Sequence, residues 1–136
     1  MKSVADAGMT IVEIGPNEPT LEGGVVAIDR IIAAGVTAVV AYNDLMAIGL
    51  LREAVSRGIM IPGQLSIIGF DNIFGSDFTT PPLTTIQMPL DKVGGDAVRS
   101  LLLALSEISS EVQAEHRSTL QTHLVLRGST SKPVVN

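Results

Sequence analysis

Three consecutive segments leave little freedom in what this chain can fold into: VTAVVAY (36–42), NDLMAIGLLREAVSRG (43–58) and LSIIGF (65–70). The first and last are continuous runs of small and β-branched apolar residues, the pattern of strands covered by helices on both faces. Between them Leu45, Ile48, Leu50, Leu51 and Val55 keep helical spacing, with Asn43 and Asp44 as the start and Gly58 and Pro62 as the stop. Parallel neighbours need a crossover, and a helix of this length supplies it. The alternation extends upstream. MTIVEIG (9–15) reads as a strand stopped by Gly15, Pro16 and Asn17. Thr20, with Glu22 nearby, caps a helix in which Val25, Ile28, Ile31 and Ile32 recur before Gly35 closes it. Strand, helix, strand, helix, strand with short links predicts a right-handed α/β unit, a parallel sheet flanked by helices.

The second half is less regular. Residues 73–82 form a turn-rich loop, LTTIQM (83–88) is extended, and 90–105 is a helix with Leu90, Val93, Ala97, Val98, Leu101 and Leu105 on one stripe. A polar link (106–119) precedes a last strand in THLVLRG (122–128), and STSKPVVN reads as a frayed tail.

With 136 residues, 46% of them hydrophobic, the chain can bury one core of ordinary size. Its net charge of −5, with no block of Lys or Arg, lacks the electrostatic footprint of a phosphate-backbone binder, so this chain alone is not expected to hold nucleic acid. The absence of cysteine rules out a disulfide framework or thiol chemistry and is compatible with the cytosol. Neither a secretory leader nor a membrane span is legible.

Catalysis is unsupported. No G-x-G-x-x-G or P-loop pattern follows a strand, Ser66 lacks nucleophile-elbow spacing, and His116 and His123 have no carboxylate arranged around them in the sequence. Asp71 and Asp77 imitate a carboxylate pair, but the loop between them lacks the alternating ligands of a calcium site. No metal and no cofactor is expected. In an open parallel sheet a small ligand meets the loops beyond the carboxyl ends of the strands. The polar residues predicted there are Asn17, Asn43, Asp44, Asp71, Asn72 and Gln87. Amides and carboxylates pair with sugar hydroxyls or a nucleobase edge. The same residue types also serve as helix caps and turn formers, so spacing alone leaves both roles open.

The segments YNDLMAIGLLREAVSRGIMIPGQLSIIGFDNIF and TPPLTTIQMPLDKVGGDAVRSLL, followed by LVLRGST, resemble the effector-binding domain of LacI/GalR-family bacterial transcription regulators. Asn-Asp-x-Met-Ala-x-Gly is shared with periplasmic sugar-binding proteins. Ile61-Pro62 to Gly69-Phe70-Asp71, Pro81-Pro82-Leu83-Thr84-Thr85 and Leu126-Arg127-Gly128-Ser129-Thr130 favour the regulators.

The resemblance implies one lobe of a periplasmic-binding-protein-like type I fold, with residues 1–136 forming a partial effector-binding domain. Its second lobe would comprise 9–88 and 121–130, and helix 90–105 would belong to a first lobe that this chain lacks, along with the DNA-binding headpiece. It further implies effector contacts from Asn43, Asp71, Gln87 and Met88, a homodimer contact through Leu45 and Ile48, a small-molecule effector of sugar-like chemistry, no membrane partner and a cytoplasmic location. The family often has a second Asp where this chain has Asn72. The helix 90–105 must then find another host, by folding back on its own sheet or exchanging with a second chain. The alternative readings are a periplasmic sugar-binding protein of a transporter and a purely structural α/β association module.

Overall fold

A computed structural model describes residues 6–106 and 119–132. Helix α1 (Leu21–Ala34) opens the ordered unit, with the Thr20 hydroxyl accepting from the Gly23 N–H and Gly35 closing it in left-handed backbone. Strand β1 (Ala38–Val40) follows, then α2 (Asp44–Ser56), β2 (Ser66–Asp71), β3 (Thr84–Gln87), α3 (Leu90–Ser106) and β4 (His123–Val125). The sheet order is β1-β2-β3-β4. The first three strands are parallel and β4 is antiparallel to β3.

One face of the sheet carries the core. Ile28, Ile31, Leu50, Leu51, Ile67 and Leu83 are buried there together with Ala27, Ala47 and Ala54. Helices α1 and α2 pack on each other, and α2 on β2. The face that α1 presents inward is Gly24, Ala27, Ile28 and Ile31, while Val25 and Ile32 of the predicted stripe are exposed. Small residues let the two helices meet closely, which a count of large apolar side chains does not register.

Four expectations are corrected. Residues 9–15 form no strand and only Ile14 packs against the core. β propensity measures fit to a pleated, half-buried surface, and no neighbouring strand provides one here. The sheet is not covered on both faces, since Val40 is 71% exposed and Leu124 59%. A continuous apolar run reports that both faces can be buried, not that this chain supplies the cover. The tail is not frayed from residue 129. The Ser129 hydroxyl is buried, donates to the Ile67 carbonyl at 2.6 Å and accepts from the Thr84 N–H at 2.8 Å. Helix α3 does not fold back on the sheet, and its stripe of Leu90, Val98, Leu101 and Leu105 is exposed.

Candidate functional site

The parallel register sets the site. β2 ends at Asp71, which pairs with Gln87, the last residue of β3, and Gln87 pairs in turn with His123, the first residue of antiparallel β4. Asp71, Gln87 and His123 therefore form one polar row at the carboxyl edge of the parallel strands. His123 is a member that sequence reasoning missed, because only the antiparallel return of β4 brings it beside Gln87. Met88 follows Gln87 and is half-buried.

Asn43 stands at the same edge, three residues beyond β1. Its side chain is already engaged as the cap of α2, accepting from the Met46 N–H at 2.9 Å and donating to the Pro19 carbonyl at 3.0 Å. The amide keeps one N–H and part of its oxygen for a ligand. Asn17, by contrast, is not at a strand end. It closes a turn by donating to the Ile14 carbonyl and accepts from Arg30. Leu45 and Ile48, one turn apart on α2, part company: Leu45 is 40% exposed and Ile48 packs against the core.

Asp44 is the first residue of α2, and its side chain is wholly buried. One oxygen accepts from the Thr85 hydroxyl at 2.5 Å and the other from the Ile73 N–H at 2.9 Å. Thr85 Oγ1 also accepts from the Asn72 N–H at 3.3 Å. On the far side of the loop, Asn72 Oδ1 accepts from Arg127 at 2.7 Å and from the Ser76 hydroxyl at 3.2 Å. Asn72 thus has an internal partner that is positively charged. Asp44 and Asn72 hold the frame rather than offering free groups, and Thr85 and Arg127 join them as residues whose importance no local pattern announced. In the sequence Thr85 stands out only as the end of the Pro81–Thr85 motif and as one of two threonines in a strand otherwise fit for burial.

Within this frame the backbone at Asp71 has φ 107° and that at Asn72 φ 51°. A non-glycine residue in the first of these conformations is strained, by about 1–3 kcal/mol, and persists only where surrounding contacts over-determine it. Asp71 is half-buried. Burial pushes its carboxyl above the ordinary value of 3.8, and the nearby Asp44 carboxylate pushes the same way. The stability from a raised carboxyl is complete below its ordinary value and is lost as pH rises through its folded one. Asp71→Asn is therefore expected to melt close to the parent near about pH 4 and increasingly above it toward neutrality. Thermal melts across that range test it, and a pH-independent difference would contradict it.

Among the described residues no group of three or more His, Cys, Asp or Glu is arranged to hold a metal ion, and no helix is long and apolar enough to cross a membrane. His116 lies outside the described residues.

A mainly parallel sheet with polar groups gathered at its carboxyl edge, beside a capped helix N-terminus, is the arrangement at which α/β domains of the periplasmic-binding type receive small ligands. Residues 4–130 match the periplasmic binding protein-like domain family, and the chain belongs to that family; the proteins it most resembles include LacI-type transcriptional regulators. The HTH-type transcriptional regulator MalR of Streptomyces coelicolor is 40% identical over 112 residues, which are 82% of this chain and 32% of that regulator. The transcriptional regulator CelR in complex with cellobiose superimposes with a TM-score of 0.79 at 29% identity, over 94% of this chain and 39% of that one. A LacI family regulator from Enterococcus faecium with bound ribose gives 0.78 at 27% identity, over 96% and 48% of the two chains. The chain spans about a third of the length of the curated relatives it matches. The motif-based resemblance is borne out, and these relatives are regulators rather than enzymes or transporter components.

Proposed function

We propose that this chain is the second lobe of the effector-sensing domain of a LacI-type transcriptional regulator, receiving a sugar or related metabolite at the carboxyl edge of its sheet. Asp71 and Gln87 accept and donate to ligand hydroxyls, Asn43 offers its remaining N–H, and Met88 lies against the ligand. Leu45 and its turn of α2 contact a second copy, with Ile48 behind it. Helix α3 packs on the first lobe, which accounts for its open apolar stripe. In such a regulator, sited in the cytoplasm, the effector closes two lobes and shifts the dimer between DNA-binding states by differential affinity. This lobe itself does not touch DNA and performs no catalysis. The observation that carries the reading is the strained, half-buried carboxylate of Asp71 beside Gln87 at the strand ends.

A half-clamp leaves its ligand largely in water, so the isolated chain is expected to bind cellobiose or ribose weakly or undetectably, and a chain carrying both lobes to bind its sugar at micromolar level or tighter. Titration calorimetry across a sugar panel checks both. Within the two-lobe protein Asp71→Ala is expected to abolish the heat of binding, and full retention of affinity would sink the assignment.

Asn43→Ala mixes two losses, a helix cap worth about 1 kcal/mol and a ligand contact. Asn43→Ser separates them, because its hydroxyl caps α2 but lacks the amide N–H. It is expected to restore most of the urea midpoint and little of the sugar affinity. Recovery of both together would reduce Asn43 to a cap.

A further inference from the structure

The strain at Asp71 has an identifiable source in the fold. Asp44 grips the backbone immediately after it through the Ile73 N–H, and Thr85, itself donating to Asp44, takes the Asn72 N–H. The carboxylate reaches this position because residue 69 is glycine: a Cβ there would lie 2.1 Å from Asp44 Oδ1 and 3.1 Å from its carboxyl carbon. Gly69 pairs with Thr85 across β2 and β3, so the two strands and the first residue of α2 converge on one point. Two successive N–H groups following Asp71 are thereby fixed, and the chain meets both with Asp71 and Asn72 at positive φ. Each of these partly buried donors left without its acceptor costs about as much as the strain at one residue, so the two bonds together offset the strain they impose.

We infer that Asp44, with Thr85, is a positioning residue that forces Asp71 into its left-handed conformation and so aims its carboxylate at the effector. The inference rests on Asp71 being an effector contact. Because Asp44 follows Asn43 directly, one buried side chain sets the relation between the two recognition groups, one at the cap of α2 and the other at the end of β2.

The test needs no effector. Asp71→Gly removes charge and strain, whereas Asp71→Asn removes the charge and keeps a side chain, so the gap in melting temperature between the two combines the backbone strain with a fixed glycine entropy cost, and its change with Thr85→Val reports the strain. In the parent 136-residue chain Asp71→Gly is expected to melt roughly 4 °C above Asp71→Asn. With Thr85→Val, which keeps the shape and removes the hydroxyl, the backbone relaxes and the gap shrinks to less than half. Thr85→Ser brings the hydroxyl back and restores it. Asp44→Ala has the same effect as Thr85→Val at greater cost in stability, and the milder variant decides the matter if Asp44→Ala does not fold. A gap that stays above half its parental size with Thr85→Val, or one that is absent from the parent, overturns the inference. Failure of the sugar panel on the two-lobe protein would instead count against Asp71 as an effector contact, leaving the clamp untouched.

Discussion

Gly49→Ala is expected to cost the fold ~3 kcal/mol, the upper end of what one added methyl does in a packed interior. A Cβ at residue 49 would lie 2.0 Å from the Leu21 carbonyl oxygen, 2.8 Å from its carbon and 3.0 Å from its Cα, all backbone atoms at the start of α1. The contact is reciprocal, for a Cβ at Gly24 would meet the Met46 carbonyl oxygen at 2.1 Å and the Leu50 nitrogen at 2.8 Å. Each helix presents a glycine to the main chain of the other, and neither backbone can yield without tilting its helix off the core. Helix propensity favours alanine over glycine by up to about 1 kcal/mol, so the clash must outweigh a term of opposite sign. Helix α3 provides the control. Gly94 and Gly95 have nothing within 4 Å of an added Cβ, and alanine there is expected to be neutral or to stabilise the helix. Urea denaturation of Gly49→Ala and Gly95→Ala reads the contrast directly. Equal midpoints for the two variants would mean that α1 and α2 are not in backbone contact.

Arg127→Ala is the second large effect, expected at about 2–3 kcal/mol for a charged donor group whose partners are left behind. The guanidinium donates to the Leu83 carbonyl at 2.7 Å, the Ser76 hydroxyl at 3.1 Å and Asn72 Oδ1 at 2.7 Å. These bonds tie both ends of the loop between β2 and β3 to the segment that follows β4. Lysine carries the charge without the planar fork, reaches one acceptor at a time, and is expected to recover less than half of the loss. The damage should also be local. The Leu83 N–H donates to the Ser76 carbonyl at 2.9 Å inside this loop, and hydrogen exchange at Leu83 is expected to accelerate in Arg127→Ala more than at Leu51 in the buried face of α2. Equal acceleration at both residues would instead place Arg127 in the global core.

The helices were legible because their signals are local. Thr20 and Gly35 bracket α1, Asn43 starts α2, and the stripe from Leu90 to Leu105 marks α3, each through chemistry within one or two turns of chain. The order of β1, α2 and β2 was equally plain, since a crossover between parallel strands restricts what may lie between them. Residues 9–15 show where that reasoning stops. Their composition is that of a strand, yet a strand exists only with a partner, and pairing is decided by the rest of the chain.

The candidate site divides the same way. Asp71 and Gln87 could be placed at strand ends from sequence, whereas their adjacency follows from a register of β2 on β3 that no periodicity encodes. His123 entered the row because β4 runs antiparallel to β3. Asp44 reads in the sequence as a helix start and as a candidate ligand group, and its buried carboxylate is instead a clamp because Gly69 leaves room for it across the sheet.

The sequence by itself determined the kinds of element, their order and the chemical types available at the strand ends, since capping, periodicity and turn chemistry act over a few residues. Tertiary structure alone decided which faces stayed bare, which polar groups were consumed in holding the loop at 72–83, and that Asp71 stands strained at the edge. Those outcomes depend on hydrogen bonds and close approaches between residues tens of positions apart, from Asp44 to Thr85 and from Asn72 to Arg127, whose geometry exists only once the sheet has formed.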